Sequence, residues 1–180
     1  KNRDSATDWW VYHSALGNTK YIVLNSTAAA VTSSSAWNNT SPTSSVFSLG
    51  AASPSNANRD VAYCFAAVKG YSAFGSYTGN GSTDGPFIYT GFRPRWVMIK
   101  ITSSTSSWVI MDTSRDPYNV MQDYLLANSS DAEVNASAEA RDFLSNGFKL
   151  RGTGTGSNTN GATYIYAAFA ENPFKYSRAR

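Results

Sequence analysis

The feature that most constrains this chain is a repeat within its 180 residues. Similar blocks recur in the same order in the two halves, with identical or conservatively exchanged residues at matching places. The paired blocks are Lys1 with Lys100, 9–12 with 108–110, 21–29 with 124–132, 47–49 with 148–150, Asn58 with Asn160, and 61–66 with 165–170. So many matches in one order indicate a tandem duplication of a unit of about 100 residues, a usual size for a β-sandwich domain.

The repeat divides the chain into a first unit, residues 1–73, and a second unit, residues 74–180. The first unit looks incomplete, because the apolar run 91–99 precedes Lys100 whereas the first unit begins at the equivalent lysine. We therefore interpret the chain as a piece of a longer polypeptide whose first unit lacks its N-terminal strand.

This incompleteness leads to a prediction about strand pairing. Residues 87–102 are expected to form one long strand in the second unit, with no counterpart in the first. A sheet that lacks a strand exposes unpaired backbone groups, which favours pairing with another chain. Residues 1–4 are therefore predicted to lie beside an upstream segment or a neighbouring copy.

Composition and patterning favour an all-β fold of antiparallel jelly-roll sandwiches. Aromatic residues make up 14% of the chain and charged residues only 15%, which suits half-buried pleated surfaces. Short β-branched and aromatic runs alternate with turn clusters rich in Gly and Asn. Strands are predicted at 9–13, 21–24, 46–49, 61–68, 87–89, 96–102, 108–112, 148–151 and 163–170. Brief helical turns are expected within 130–145 and, more weakly, within 118–126.

The repeat also predicts which side chains form the two cores. Alternate residues of a strand face the same side of a sheet. The first core should contain Phe47, Leu49, Val61, Tyr63 and Phe65. The second should contain their equivalents, Phe148, Leu150, Ile165, Ala167 and Phe169. The lone cysteine, Cys64, lies within an apolar run and is predicted to be a small buried hydrophobic residue.

Charge and hydropathy argue against two classes of partner. The net charge of +3 comes from basic residues that are scattered along the chain, whereas a nucleic-acid binder would concentrate them in a stripe. No segment approaches the roughly 18 consecutive apolar residues of a membrane span. We therefore expect neither nucleic-acid binding nor membrane insertion.

Catalytic chemistry is not expected either. The single histidine, His13, is accompanied by no nucleophile motif. The glutamates Glu133, Glu139 and Glu171 are not spaced as the carboxylate pair of a glycosidase. The sequence therefore predicts a non-enzymatic protein.

A calcium site is the one cofactor that the sequence leaves open. Asp112, Asp116 and Asn119 place three oxygen ligands on a loop after a predicted strand, which suits Ca²⁺. The alternative is that Asp116 and Asn119 cap turns and that Arg115 pairs with a carboxylate. The second interpretation is favoured, because the spacing of a dedicated calcium loop is absent.

Surface aromatic residues are the remaining candidates for recognition. Adjacent Trp9 and Trp10 must face opposite sides of a regular strand, so one of them points away from its own core. Trp9, Trp10, Trp37 and Tyr118 are therefore candidate carbohydrate-binding residues. Interface packing is an equally good explanation, because aromatic residues are enriched in protein interfaces.

Several motifs together resemble a module of bacteriophage tail-fibre and appendage proteins. They lie at 75–81, 84–88, 91–100, 108–112, 128–133, 142–148 and 164–174. The family looks like the concanavalin A-like (laminin-G-like) jelly-roll sandwich, and the resemblance covers nearly the whole chain. The resemblance implies a structural protein on the virion surface that contacts other virion subunits and forms homo-oligomers, and it leaves open the binding of host glycans. The alternative is a carbohydrate-binding lectin domain of a secreted protein.

Overall fold

A computed structural model describes residues 1–53 and 59–172, so Asn58 and the motif residues 173 and 174 lie outside the described residues. This part of the chain is an all-β structure with antiparallel pairing throughout. Its strands are β1 (Trp10–Val11), β2 (Lys20–Val23), β3 (Val31–Thr32), β4 (Ser72–Thr78), β5 (Phe87–Tyr89), β6 (Pro94–Ile101), β7 (Val109–Asp112), β8 (Asp123–Leu126), β9 (Val134–Asn135), β10 (Arg141–Leu144), β11 (Gly147–Leu150) and β12 (Thr163–Ala170).

A six-stranded sheet in the order β4-β12-β6-β7-β8-β9 organises the fold. Its central strands alternate between two apolar faces, because successive side chains of a strand point to opposite sides. In β6, Val97 and Ile99 face the inner side, and Met98 faces the outer side. In β12, Tyr164 is on the inner side and Ile165 on the outer side. Both faces of the sheet are therefore apolar, and each can be covered by another layer of the fold.

The inner face packs against a three-stranded sheet in the order β10-β11-β5. Phe143 and Phe148 from this second sheet are buried against Ile99, Met111 and Tyr166 of the first. The rings of Phe148 and Tyr166 meet edge to face, with centroids 5.6 Å apart. The result is an antiparallel β-sandwich, which confirms the predicted all-β fold class.

The outer face is partly covered by the N-terminal sheet, β1-β2-β3. Ile22 of β2 packs between Trp108 and Ile165, and all three side chains are buried. The indole Nε1 of Trp108 also donates a hydrogen bond to the carbonyl of Val23 at 2.9 Å. The N-terminal strands are thus attached to the sandwich as a third layer.

Several predicted elements differ from the structure. Residues 87–102 form two strands, because the chain turns at Gly91, whose φ of +82° suits glycine, and passes from one sheet to the other. Within 118–126, the structure has strand β8 where helical turns were expected. Within 130–145 it has β9, one 3-10 turn at Ser137–Glu139, and β10. No helix among residues 1–53 and 59–172 is long and apolar enough to span a membrane.

The predicted core of the first unit is wrong. Residues 46–49 and 61–67 are not strands, and Phe47, Tyr63 and Phe65 are 45%, 71% and 67% exposed. Cys64 is exposed as well. In the second half Phe148 and Leu150 are buried in the sandwich core as predicted, because β5 and β6 provide partners that 46–49 and 61–67 do not have. The prediction is wrong for the other three residues: Ile165 is buried on the outer face of the sheet, and Ala167 and Phe169 are half-buried on that same face. The proposed unit boundary at residue 73 falls inside β4, which belongs to the six-stranded sheet.

The prediction for residues 1–4 is also corrected, because their partner lies within the chain. Asn2 forms an antiparallel bridge with Asp60. Lys1 and Val61 exchange two backbone hydrogen bonds, of 3.0 and 3.1 Å. The unpaired backbone lies further along the same extended segment, at residues 62–65, which make no hydrogen bond within the described residues.

Candidate functional site

An apolar groove of about 970 Å³ lies on the outer face of the six-stranded sheet. Its floor is formed by side chains of the sheet that point away from the sandwich core, and its walls by the N-terminal region. The floor includes Phe74, Trp96, Met98, Ile165 and Phe169; the walls include Trp9, Trp10, Trp37, Phe47, Tyr63 and Phe65. We call this feature the aromatic groove.

One wall is a rigid aromatic cluster. Trp10 stacks on Tyr21 with ring centroids 3.8 Å apart and planes 8° from parallel. Trp37 meets Trp10 and Tyr12 edge to face, at 6.5 and 5.8 Å. Its indole Nε1 donates to the carbonyl of Lys20 at 2.8 Å, and its side chain is buried. Trp37 therefore holds the wall in place and offers no open face to a ligand.

Another wall is formed by residues 61–67, most of which are exposed. Phe65 contacts Phe169 and Phe74 of the floor at centroid distances of 5.8 and 6.3 Å. Tyr63 lies over Trp9 at 5.9 Å. These rings remain mostly accessible although they are large and apolar, and exposed patches of this kind mark contact surfaces.

Both ring nitrogens of the one histidine at the groove are hydrogen-bonded to backbone groups. His13 is buried, its Nε2 lies 3.2 Å from the carbonyl of Tyr166, and its Nδ1 accepts the amide of Ala15 at 3.2 Å. This geometry requires the neutral tautomer with the proton on Nε2, because a carbonyl only accepts hydrogen bonds. Burial lowers the pKa of His13, although the hydrogen bond to Tyr166 opposes that shift. Both nitrogens thus serve local structure.

The structure separates the predicted recognition residues into two places. Trp9, Trp10 and Trp37 lie together at the groove, whereas Tyr118 does not line it and is 79% exposed on the loop between β7 and β8. The three candidate tryptophans are thus brought together, and the fourth residue belongs to another surface.

The predicted metal ligands make hydrogen bonds to neighbouring backbone groups. Asp112 Oδ1 accepts the amides of Ser114 and Arg115, each at 3.0 Å. Asp116 Oδ2 accepts the amide of Gln122 at 2.7 Å. Asn119 exchanges two hydrogen bonds with the backbone of Phe143, at 2.9 and 3.0 Å. The contacts of Asp112 and Asp116 lie within their own loop, as the capping interpretation expects, whereas Asn119 joins the loop to the backbone of β10 and does not cap its own turn.

The loop also holds its one arginine in ion pairs. Arg115 bonds to Glu133 and lies 3.3 Å from Asp112 Oδ2. In the described part of the chain, no group of three His, Cys, Asp or Glu side chains is arranged to hold a metal ion.

Sequence reasoning missed the floor of the groove. Trp96 was part of a predicted strand with no face assigned, and Phe169 was predicted in the second core, whereas both side chains lie on the outer face of the sheet. Each alternates with residues of the inner core, so a strand with apolar residues at every position was the available signal for two covered faces. The rings of Trp96 and Phe169 are 5.6 Å apart on neighbouring strands.

Three buried charges were missed as well. Lys100 is fully buried on the outer face, where its Nζ donates to the carbonyls of Ile101 and Thr27 at 2.9 and 3.1 Å. Burial lowers its pKa to about 8. On the inner side, Arg141 is fully buried and Glu139 accepts the amide of Gly156 at 2.9 Å. These groups stabilise or constrain the fold and do not line the aromatic groove.

Comparison with known proteins adds a family but no activity. No curated protein and no solved structure matches the chain. The model of one protein family, described as a domain of unknown function, DUF7483, matches residues 1–173. Because this match covers nearly the whole chain, the chain belongs to the DUF7483 family.

Proposed function

We propose that this chain is a non-enzymatic structural module of a virion appendage, such as a tail fibre, and that the aromatic groove is its assembly surface. The observation that carries the proposal is the combination of a preformed apolar floor with an exposed apolar wall. Phe74, Trp96 and Phe169 form the floor, and Tyr63 and Phe65 form the wall. Aromatic residues are enriched in the buried centres of protein interfaces, where charged residues are depleted.

The chemistry of the lining favours a polypeptide over a sugar or a substrate. A glycan site combines an aromatic platform with convergent polar groups, whereas this lining is mainly aromatic and aliphatic. His13 at the groove is occupied on both nitrogens. Other subunits of the particle, including copies of this chain, are the partners that fit an apolar surface of this kind.

Sedimentation velocity of the purified chain tests the proposal. Self-association is expected at concentrations up to about 100 μM, a range typical of a weak interface. The double substitution Tyr63→Ser with Phe65→Ser should reduce it at least about tenfold in Kd, since each change removes an exposed ring from the interface.

The matched control replaces two equally exposed rings elsewhere, Tyr89→Ser with Tyr118→Ser. This variant should associate like the parent. Equal association of the parent and the groove variant would contradict the assembly role. A further expectation is that antibodies against the chain label the surface of the phage particle that contains it.

A lectin role is the second candidate, and the exposed ring of Tyr118 favours it. The ring lies on the loop that follows Asp112 and carries Asp116. Stacking on such a ring supports sugar binding by about 1–3 kcal/mol, by analogy with base stacking. A glycan-array signal that is lost in Tyr118→Ala and kept in the groove variant would favour the lectin over the assembly module.

A further inference from the structure

The backbone pairing of the first residues matches that of β6 with β12 in detail. Lys1 pairs with Val61 as Lys100 pairs with Ile165. The next bridge, Asn2 with Asp60, corresponds to Ile101 with Tyr164. The following backbone hydrogen bond runs from Arg3 to Arg59, and its counterpart from Thr102 to Thr163 has the same length, 2.8 Å. Residues 1–3 therefore occupy the place of the end of β6.

The same correspondence continues through the next three strands. The β1–β2 pairs, Trp10 with Val23 and Val11 with Ile22, match the β7–β8 pairs, Val109 with Leu126 and Ile110 with Leu125. The β2–β3 pairs, Lys20 with Thr32 and Tyr21 with Val31, match the β8–β9 pairs, Asp123 with Asn135 and Tyr124 with Val134. All four residue pairs of the N-terminal sheet thus have counterparts in the same register in the six-stranded sheet.

A side-chain contact repeats with this register. The Asn25 side chain accepts the backbone amide of Trp9 at 2.8 Å, and the Asn128 side chain accepts that of Trp108 at 2.7 Å. Since a slip of one residue would reverse every side chain, agreement of bridges and side-chain contacts fixes one alignment. Under this alignment Cys64 corresponds to Ala168 and Phe65 to Phe169.

The two halves differ at one edge. Ala168 pairs with Val97 of β6 and is completely buried, whereas Cys64 is exposed and residues 62–65 have no backbone partner within the described residues. The segment 61–67 carries no charge and no proline, the features with which proteins protect a sheet edge from pairing.

We propose that residues 62–65 bind an extended strand of the β6 type, antiparallel and continuous with Lys1, and that this strand completes a second copy of the fold. The register requires the residue immediately before Lys1 to pair with Ala62, as Ile99 pairs with Tyr166. The third residue before Lys1 would then cover Cys64 in the way that Val97 covers Ala168. This proposal rests on the assembly role of the aromatic groove and names the polypeptide that occupies its open wall.

The test fuses a copy of residues 93–99 directly before Lys1, so that the copied isoleucine takes the place equivalent to Ile99. Cys64 is the only cysteine of the chain, so its alkylation by N-ethylmaleimide reports on this edge alone. Alkylation should be at least about tenfold slower than in the parent chain, which corresponds to an opening free energy of about 1.4 kcal/mol. Amide hydrogen exchange within residues 62–66 should slow in parallel.

The control fusion replaces the copied tryptophan and methionine by proline, because in the β6–β12 register the amides at these two positions point to the neighbouring strand and proline cannot donate to it. It should leave Cys64 as reactive as in the parent. Equal Cys64 reactivity in the parent and the β6-type fusion, or equal protection by the proline fusion, would overturn the proposal. So would a parent chain whose Cys64 is already protected in a concentration-dependent manner, because the occupant would then be a second copy.

The outcomes are separable from those of the assembly test. Loss of self-association in the Tyr63→Ser and Phe65→Ser variant supports the groove as a contact surface whatever the fusion does. If that loss is observed while the fusion fails to protect Cys64, the assembly role stands and the β6-type strand is rejected.

Discussion

The buried Lys100 gives the most direct test of the energetics of this fold. Its ammonium group is enclosed between the N-terminal layer and the six-stranded sheet, where it donates to the carbonyls of Thr27 and Ile101. Burial lowers its pKa from 10.5 to about 8, because the charged form loses hydration. The unfolded chain therefore binds more protons than the folded chain between these two pH values.

The sign and size of the pH dependence follow from linkage. Where the unfolded state binds more protons, the free energy of unfolding rises with pH. The stabilisation is absent below about pH 8 and complete above pH 10.5. Between pH 7 and pH 9.5 the expected gain is about 2 kcal/mol, since a full pKa unit corresponds to about 1.4 kcal/mol. Burial also raises the pKa of Tyr77, Tyr164 and Tyr166, so the unfolded chain loses these tyrosine protons first as the pH rises. The pH range of the unfolding measurements should therefore end below pH 10, where this opposite effect begins.

Guanidinium unfolding at several pH values between 7 and 9.5 measures this gain. Lys100→Met should flatten the profile and should stabilise the protein most at pH 7, because it removes a buried charge and keeps the apolar stem. Thr27 retains a partner in this variant, since its carbonyl also accepts the amide of Ser106 at 3.0 Å. Lys20→Met, which removes an exposed lysine, is the control and should keep the parent's slope. A flat profile in the parent, or an unchanged slope in Lys100→Met, would refute the reasoning.

Two further predictions concern the other buried ionisable groups. The lowered pKa of His13 means that its contribution to stability is complete above pH 6.5 and is lost as the pH falls through the folded-state pKa. His13→Gln should therefore weaken the acid sensitivity of the melting temperature between pH 7 and pH 5, and an unchanged acid profile would contradict this. Glu139→Gln should destabilise the fold by about 1–3 kcal/mol, because the buried Glu139 carboxylate accepts hydrogen bonds from Gly156 and Ser157 and its charge favours the charged form of the buried Arg141. Adding Arg141→Met should restore part of that loss in urea unfolding, whereas a further loss would argue against electrostatic coupling between the two residues.

The local pattern of the sequence was enough to predict most strands of the second half. The runs at 108–112, 148–151 and 163–170 were predicted within a few residues of β7, β11 and β12. Alternation of apolar side chains and flanking glycine or asparagine are local signals, so they survive in a single sequence. The burial of Phe148 and Leu150 followed from the same alternation.

Tertiary structure decided the rest, because burial depends on which strands are present to cover a surface. Tyr63 and Phe65 have the pattern of core residues and are exposed, since residues 62–65 have no backbone partner within the described residues. The pairing of residues 1–3 with 59–61 joins segments far apart in the chain, and no local pattern specifies such a contact. The aromatic groove likewise depends on Trp9, Trp96 and Phe169 meeting across two layers. The sequence by itself determined the all-β class and the alternation of its strands, while the long-range pairing of those strands decided which aromatic residues became core and which became surface.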